Sequence, residues 1–348
     1  MQRQSMTAYA APLEPTEIAT PTPEGAQILL RIHHCGVCHS DLHIHEGYFN
    51  LGGGKQLDIT DGRALPFTLG HEIEGEVEAI GPDVEGIKVG DRRVIYPWMG
   101  CGKCDLCQAG EEYLCQRPHH LGIYADGGYA SHLLVPHSRH LFAYDGIAPE
   151  LAGSFMCSGL TAYGALIKAG PFLPHDRVML IGLGGVGMMG LQFAKALVPN
   201  PVLVAEIDPA KRDAALTAGA QAAFDPTDKD ARKQVLKSTG GVAAAIDFVG
   251  SDSSLKFASG IVRKGGRVVV AGLMGGELTM PIAMFALRPF SILGAFVGSL
   301  SQAREVLDLA GSGKIAPIPY EVKPLAQANE ALEQLKAGKV AGRLVLKA

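Results

Sequence analysis

Apolar positions change their spacing partway along the chain, and the change predicts two kinds of structure. In the first 150 residues they alternate with polar ones: Ile28, Leu30 and Ile32 share one side of an extended segment, as in a half-buried strand. Glu76–Ile80 and Val94–Tyr96 read as further short strands, with Gly-Pro and Gly-Asp turns between them. Leu51–Arg63, which contains Gly52, Gly53 and Gly54, reads as a surface loop. From about residue 158 to 295, short apolar runs alternate with helical periods. Val178–Ile181, Val202–Ala205, Ala243–Phe248, Arg267–Ala271 and Ile292–Val297 are the expected strands. One helix is expected from Val186 to about Leu197, and Asp208-Pro209 opens another as N-cap and first-turn proline. Strands alternating with helices predict an α/β domain with a doubly wound parallel sheet.

Near the end, Leu325, Ala328, Leu332 and Leu335 form one helical face, and Arg343–Leu346 reads as a closing strand. The expected organisation is a β-rich domain over 1–157, a doubly wound domain over 158–295, and a tail, 296–348, that returns to the first. A length of 348 residues suits two domains. The 47% hydrophobic and 19% charged fractions suit a well-buried globule. A net charge of −4 offers no general attraction to nucleic acid or to an anionic membrane. No run reaches the roughly 20 apolar residues of a membrane span, and Met1–Ala10 lacks the apolar core of a secretory signal. The expectation is a soluble cytoplasmic enzyme.

Seven cysteines in a reducing compartment point to metal rather than to disulfides. Cys101, Cys104, Cys107 and Cys115 lie close enough in sequence to complete a closed, all-sulfur zinc shell, in a lobe over about 97–116. Asp105, Glu111 and Glu112 surround that lobe with the wrong charge for a nucleic-acid-binding ribbon. A second pattern, Gly182-x-Gly184-x-x-Gly187, follows a predicted strand and opens a predicted helix, as a pyrophosphate-binding turn requires. Glu206 ends the next strand, where a carboxylate accepts the ribose hydroxyls of NAD and repels the extra phosphate of NADP. By themselves, Cys157 reads more readily as a buried small hydrophobe and His71 as a hydrogen-bonded core histidine.

Gly36-Val37-Cys38-His39-Ser40-Asp41-Leu42-His43, Gly70-His71-Glu72, the four-cysteine lobe, Cys157-Ser158-Gly159-Leu160-Thr161 and Gly182-Leu183-Gly184-Gly185-Val186-Gly187 occur in an order that resembles zinc-containing medium-chain alcohol dehydrogenases, closest to the yeast-like and bacterial members. The resemblance spans essentially the whole chain. It implies a GroES-like catalytic domain and a Rossmann domain with a six-stranded parallel sheet. It also implies two Zn²⁺ per subunit, NAD, and reversible hydride transfer between a small-molecule alcohol and its aldehyde or ketone. The two-cysteine, one-histidine ligand set is already known for the catalytic zinc of alcohol dehydrogenase. Here it implies Cys38, His71 and Cys157 as ligands, with Asp41 orienting His71 and Glu72 as a transient ligand. Ser40 and His43 match the two ends of a serine, cofactor-ribose, histidine proton relay around a zinc-bound alkoxide. His39 and Arg343 match pyrophosphate contacts. Thr161, Val186 and Leu273 match positions beside the nicotinamide, and Phe248 and Val249 positions near the adenosine half. Tyr48, Phe49, Trp98, Leu121 and Phe296 are candidate pocket walls, which favours a hydrophobic or aromatic alcohol. A homo-oligomer, dimer or tetramer, is implied as well. A polyol dehydrogenase of the same superfamily and a non-enzymatic zinc- and dinucleotide-binding regulator are the competing readings. Cys157 argues against the first, and the Ser40–His43 pair against the second.

Overall fold

The strand Ile28–Val37 carries the first of two units into which the chain divides. In the computed structural model, which describes residues 1–340 and 342–348, this unit comprises Met1–Tyr48, Asp58–Leu160 and Gly298–Ala348. Ile28, Leu30 and Ile32 are buried and Arg31 is exposed, but Leu29 is buried too, so the alternation read from the sequence holds only around Arg31. Ile28–Val37 pairs antiparallel with Glu72–Ile80, with Arg343–Lys347 and, along its first half, with His132–Val135. The path continues through Arg92–Ile95 to Leu141–Phe142 on one side and through Tyr320–Pro324 on the other, giving seven strands. Leu30, Ile32, Val77, Ile95, Tyr129, Leu332 and Leu344 belong to one buried cluster of this unit. Each large apolar side chain so buried contributes about 1.5–3 kcal/mol before entropy is counted. The helix Ala328–Lys336 buries Ala328, Ala331, Leu332 and Leu335, as its periodicity predicts; Leu325 falls in the 3₁₀ turn just before it.

The second unit comprises Phe49–Leu57 and Thr161–Val297. The six strands of its main sheet are all parallel, in the order Ala222–Phe224, Leu203–Ala205, Val178–Ile181, Val242–Asp247, Val262–Val270, Ser291–Gly294. The chain therefore starts in the middle of the sheet, winds outward to one edge, and returns to build the other half. All four residues of Val178–Ile181 are buried, as expected of a strand covered on both faces.

Leu51–Arg63 differs from the expected loop. Tyr48–Gly52 and Lys55–Asp58 pair as a hairpin, with Gly53 and Gly54 at the tip. Both tip residues have positive φ, 57° and 78°, as a tight turn matched to strand twist requires. The glycines that suggested a loop are thus the turn chemistry of a hairpin. Among the described residues, no helix is long and apolar enough to cross a membrane.

Candidate active site

Cys38 is the N-cap of the helix His39–Glu46, and Asp41 in the first turn folds back on it. The Cys38 N–H donates to Asp41 Oδ2 at 2.9 Å. His71, fully buried, places Nδ1 3.2 Å from Asp41 Oδ1 and Nε2 3.3 Å from Cys157 Sγ. Cys157 lies between the 3₁₀ turn Gly153–Met156 and the helix Ser158–Ala169, and its Sγ is 3.9 Å from that of Cys38. Trp98 fixes this corner by donating its indole N–H to Met156 O at 2.8 Å.

These separations can be compared with a metal's demands. Tetrahedral zinc, with Zn–S about 2.3 Å and Zn–N about 2.0 Å, sets sulfur–sulfur edges near about 3.8 Å and sulfur–nitrogen edges near about 3.5 Å. The three donors fit such an ion. Between the two thiols, the bond from Cys157 holds Cys38 well below the usual thiol range, while the same contact and burial push Cys157 up. A buried thiolate of this kind calls for a cation.

Glu72 completes the group; its carboxylate lies within 4.8 Å of all three donors. It is engaged elsewhere, accepting hydrogen bonds from Ser154 Oγ at 2.7 Å and Ser158 Oγ at 3.0 Å and pairing with Arg343. Ser154 and Ser158 carried no role in the sequence reading, although Ser158 follows Cys157 directly. Arg343 is 5% exposed, and its Nε has no partner among the described residues, so a donor remains for an anion. On the helix, His39 is exposed and Ser40 and His43 are half-buried. Burial, followed by the charge of His39, lowers the pKa of His43.

Around the ligands, Trp98 is 2% exposed, its ring centroid 5.4 Å from His71 and 5.4 Å from His120. Burial pushes His120 down to about 4, so it stays neutral in this row. Leu121 belongs to the hydrophobic core, and Tyr48 and Phe49 are half-buried at the root of the hairpin. His45, two residues past His43, bonds Ala11 O at 2.6 Å and is a tether.

Cys101, Cys104, Cys107 and Cys115 form a second donor group. Cys104 Sγ lies 3.5 Å from Cys107 Sγ and 3.8 Å from Cys115 Sγ, again close to tetrahedral edges. Backbone N–H groups of Cys101 and Arg117 donate to Cys115 Sγ, both at 3.3 Å. Those of Lys103 and Cys104 lower the Cys101 thiol to about 6. Glu112, read from the sequence only as surface charge, is buried. It accepts from Gly100 N–H at 3.2 Å and pairs with Arg139 at 3.2 Å, anchoring the lobe.

The second unit holds the glycine turn. Val178–Ile181 leads to Gly182, with φ 85°, and the helix Gly185–Leu197 starts from Gly184 with no side-chain cap. A Cβ at Gly187 would lie 1.9 Å from Gly182 O, whereas one at Gly184 would meet nothing within 4 Å. The turn is tight at one glycine and open at another. With uncapped N–H groups at the helix start, it fits a phosphate. Glu206, 8% exposed, accepts from Leu183 N–H at 2.6 Å and from Ile207 and Asp208 N–H at 2.8 and 3.1 Å. Phe248 and Val249 are half-buried, Phe248 against Gly190 and Val249 against Gly182. Thr161, Gly185 and Val186 are half-buried, and Leu273 and Phe296 are 52% and 45% exposed.

Comparison with known proteins gives the same outline over the full length. Residues 24–145 match the alcohol dehydrogenase GroES-like domain, and residues 185–312 match the zinc-binding dehydrogenase domain. An NAD-dependent alcohol dehydrogenase of Sulfurisphaera tokodaii is 35% identical over 349 residues, covering 99% of each chain. Among solved structures, the alcohol dehydrogenase of Aeropyrum pernix superposes with a TM-score of 0.89 at 31% identity, over 100% of both chains. An acetophenone reductase of Geotrichum candidum, solved with NAD, superposes at 0.86 with 29% identity, over 100% of this chain and 97% of that one.

Proposed function

The chain belongs to the zinc-binding alcohol dehydrogenases with a GroES-like domain, and from that premise we propose how its residues divide the work of NAD-dependent alcohol oxidation. Cys38, His71 and Cys157 hold a catalytic zinc, and Cys101, Cys104, Cys107 and Cys115 a structural one. This gives two ions per chain. A zinc with three protein ligands acts as a Lewis acid that lowers the pKa of the substrate hydroxyl. The glycine turn and Glu206 would hold NAD, which would supply the hydride acceptor for alcohol oxidation.

The protein's own residues then handle position and protons. Ser40 accepts the hydroxyl proton. His43, one turn further along the same helix, passes it to solvent, and its lowered pKa keeps it a neutral base through pH 7. Asp41 holds His71 with Nε2 toward the donor group. Arg343 and the two serines hold the Glu72 carboxylate beside the three donors, and it would have to exchange those bonds to serve as a transient ligand. The apolar side chains Trp98, Phe49 and Phe296 suit a hydrophobic or aromatic alcohol, in line with the relative named as an acetophenone reductase. Domain boundaries near 157 and 295, a cytoplasmic location and a homo-oligomer complete the reading.

The observation that carries this proposal is the convergence of Cys38, His71 and Cys157 at tetrahedral spacing, with the Glu72 carboxylate as the fourth member of the group among the described residues. A steady-state assay of primary, secondary, aromatic and polyol substrates with NAD and NADP, run beside a zinc determination, tests it. NAD-linked oxidation of apolar alcohols with about two zinc ions per chain is expected; turnover by the fully metal-free enzyme overturns it.

A further inference from the structure

Tyr129 lies outside the ligand set and every cofactor position, yet its phenol points into the metal centre. The side chain is fully buried, and its hydroxyl donates to Asp41 Oδ2 at 3.1 Å. Asp41 is itself fully buried and accepts four hydrogen bonds. Oδ2 takes Cys38 N–H at 2.9 Å and the Tyr129 hydroxyl; Oδ1 takes Gly70 N–H at 3.3 Å and faces His71 Nδ1 at 3.2 Å.

The backbone brings the tyrosine there in register. Tyr129 N–H donates to Leu69 O at 2.9 Å, Gly128 N–H to Gly70 O at 2.8 Å, and Gly127 N–H to Thr68 O at 2.8 Å. The segment 127–129 is therefore laced along the segment that delivers His71. The ring fills the space beside Gly70, where a Cβ would come within 2.4 Å of Tyr129 Cδ1. Gly70, with φ 94°, is bare on the side that the ring occupies.

From this geometry we infer that Tyr129 is a positioning residue for the catalytic zinc, acting through Asp41. A carboxylate can rotate about its Cβ–Cγ bond, and the angle decides whether Oδ1 meets His71 Nδ1. Cys38 N–H and the phenol together pin Oδ2 and so aim Oδ1. That bond keeps the imidazole proton on Nδ1 and the lone pair of Nε2 toward the metal. The phenol also supplies one of the four donors that compensate a buried charge. The inference rests on the assignment of Cys38, His71 and Cys157 as zinc ligands.

The test measures zinc release to a chromophoric chelator, resolved into a fast and a slow ion, for the wild type, Tyr129→Phe, Asp41→Asn and the double variant. Thermal melts accompany each. Phenylalanine keeps the ring beside Gly70 and removes only the oxygen. The fast ion is expected to leave about tenfold sooner in Tyr129→Phe, with the slow ion unchanged. In the Asp41→Asn background the same substitution is expected to add less than about twofold. Release at the wild-type rate from Tyr129→Phe overturns the inference, and so does an equal effect in both backgrounds, since that is independent action. Should Tyr129→Phe not fold, Asp41→Asn against the double variant decides alone. Equal rates support the inference, and a faster double variant overturns it. A Cys157→Ser control separates the two layers: if it still holds two zinc ions, the ligand assignment itself has failed.

Discussion

Leu183 donates its backbone N–H to Glu206 Oε2 at 2.6 Å, so the carboxylate that ends one strand also braces the glycine turn after its neighbour. On the proposed reading the same group serves both in cofactor recognition and in local structure. Glu206→Ala is therefore expected to do two things. The preference for NAD over NADP should fall by at least about tenfold, because a like-charge clash with a 2′-phosphate disappears. KM for NAD should also rise, because the turn loses its brace. Kinetics with both cofactors read each effect, and an unchanged preference removes Glu206 from cofactor choice.

Cys38→Ser should lower zinc from about two ions per chain to about one and cut turnover by at least about a thousandfold, with the fold retained. Cys104→Ser should instead expose a lobe that has little packing of its own, lowering thermal stability before it lowers the intrinsic rate. Metal analysis paired with a melting curve distinguishes the two variants. Identical behaviour would mean that the roles of the two cysteine groups are wrongly divided.

The pH dependence follows from His43. Burial first, then the charge of His39, sets its pKa below 6.5, so the neutral form persists somewhat further into acid than for an exposed histidine. His43→Ala should slow alcohol oxidation most between about pH 6 and 7, where hydroxide is scarce and the wild-type base is still unprotonated. Rates near about pH 9 should converge. A pH–rate profile parallel to that of the wild type would rule out the relay.

Acid stability has a separate source. Burial pushes the carboxyl of Glu74 up, but bonds from His34 and Tyr144 and the charge of Arg92 outweigh it and hold the pKa below 4.5. A carboxyl depressed in the folded state stabilises above its unfolded pKa and loses that contribution as pH falls through the folded value. Glu74→Gln should thus cost on the order of 2 kcal/mol at neutral pH. The loss should shrink below about pH 4.5. Denaturant melts at pH 7 and pH 4 give the comparison, and an equal loss at both assigns the effect to packing.

How much of this was legible in advance depended on distance along the chain. The four-cysteine lobe could be read from spacing because its donors lie within fifteen positions. The doubly wound sheet could be read because each strand and its following helix are local. Cys38, His71 and Cys157 are separated by up to 119 positions, so only the family pattern joined them. Tyr129 and Asp41 are 88 apart and belong to no shared motif, so their contact carried no sequence signal. The hairpin at 48–58 was missed for the opposite reason. A glycine run permits a loop and a tight turn alike, and only strand pairing on either side decides between them.

The strand Arg343–Lys347 lies inside its sheet, between Ile28–Val37 and Tyr320–Pro324. A ribosome releases those residues after every other strand of that sheet. Until then Ile28–Val37 has a bare edge, and the helix that follows it, with Cys38 at its head, is mounted on an unfinished sheet. The intervening stretch, Thr161–Val297, can meanwhile fold on its own strands. Vectorial synthesis thus lets the dinucleotide unit fold before the metal-binding unit gains the strand Arg343–Lys347. Removing Arg343–Lys347 would leave a chain with every candidate metal ligand and no strand joining Ile28–Val37 to Tyr320–Pro324.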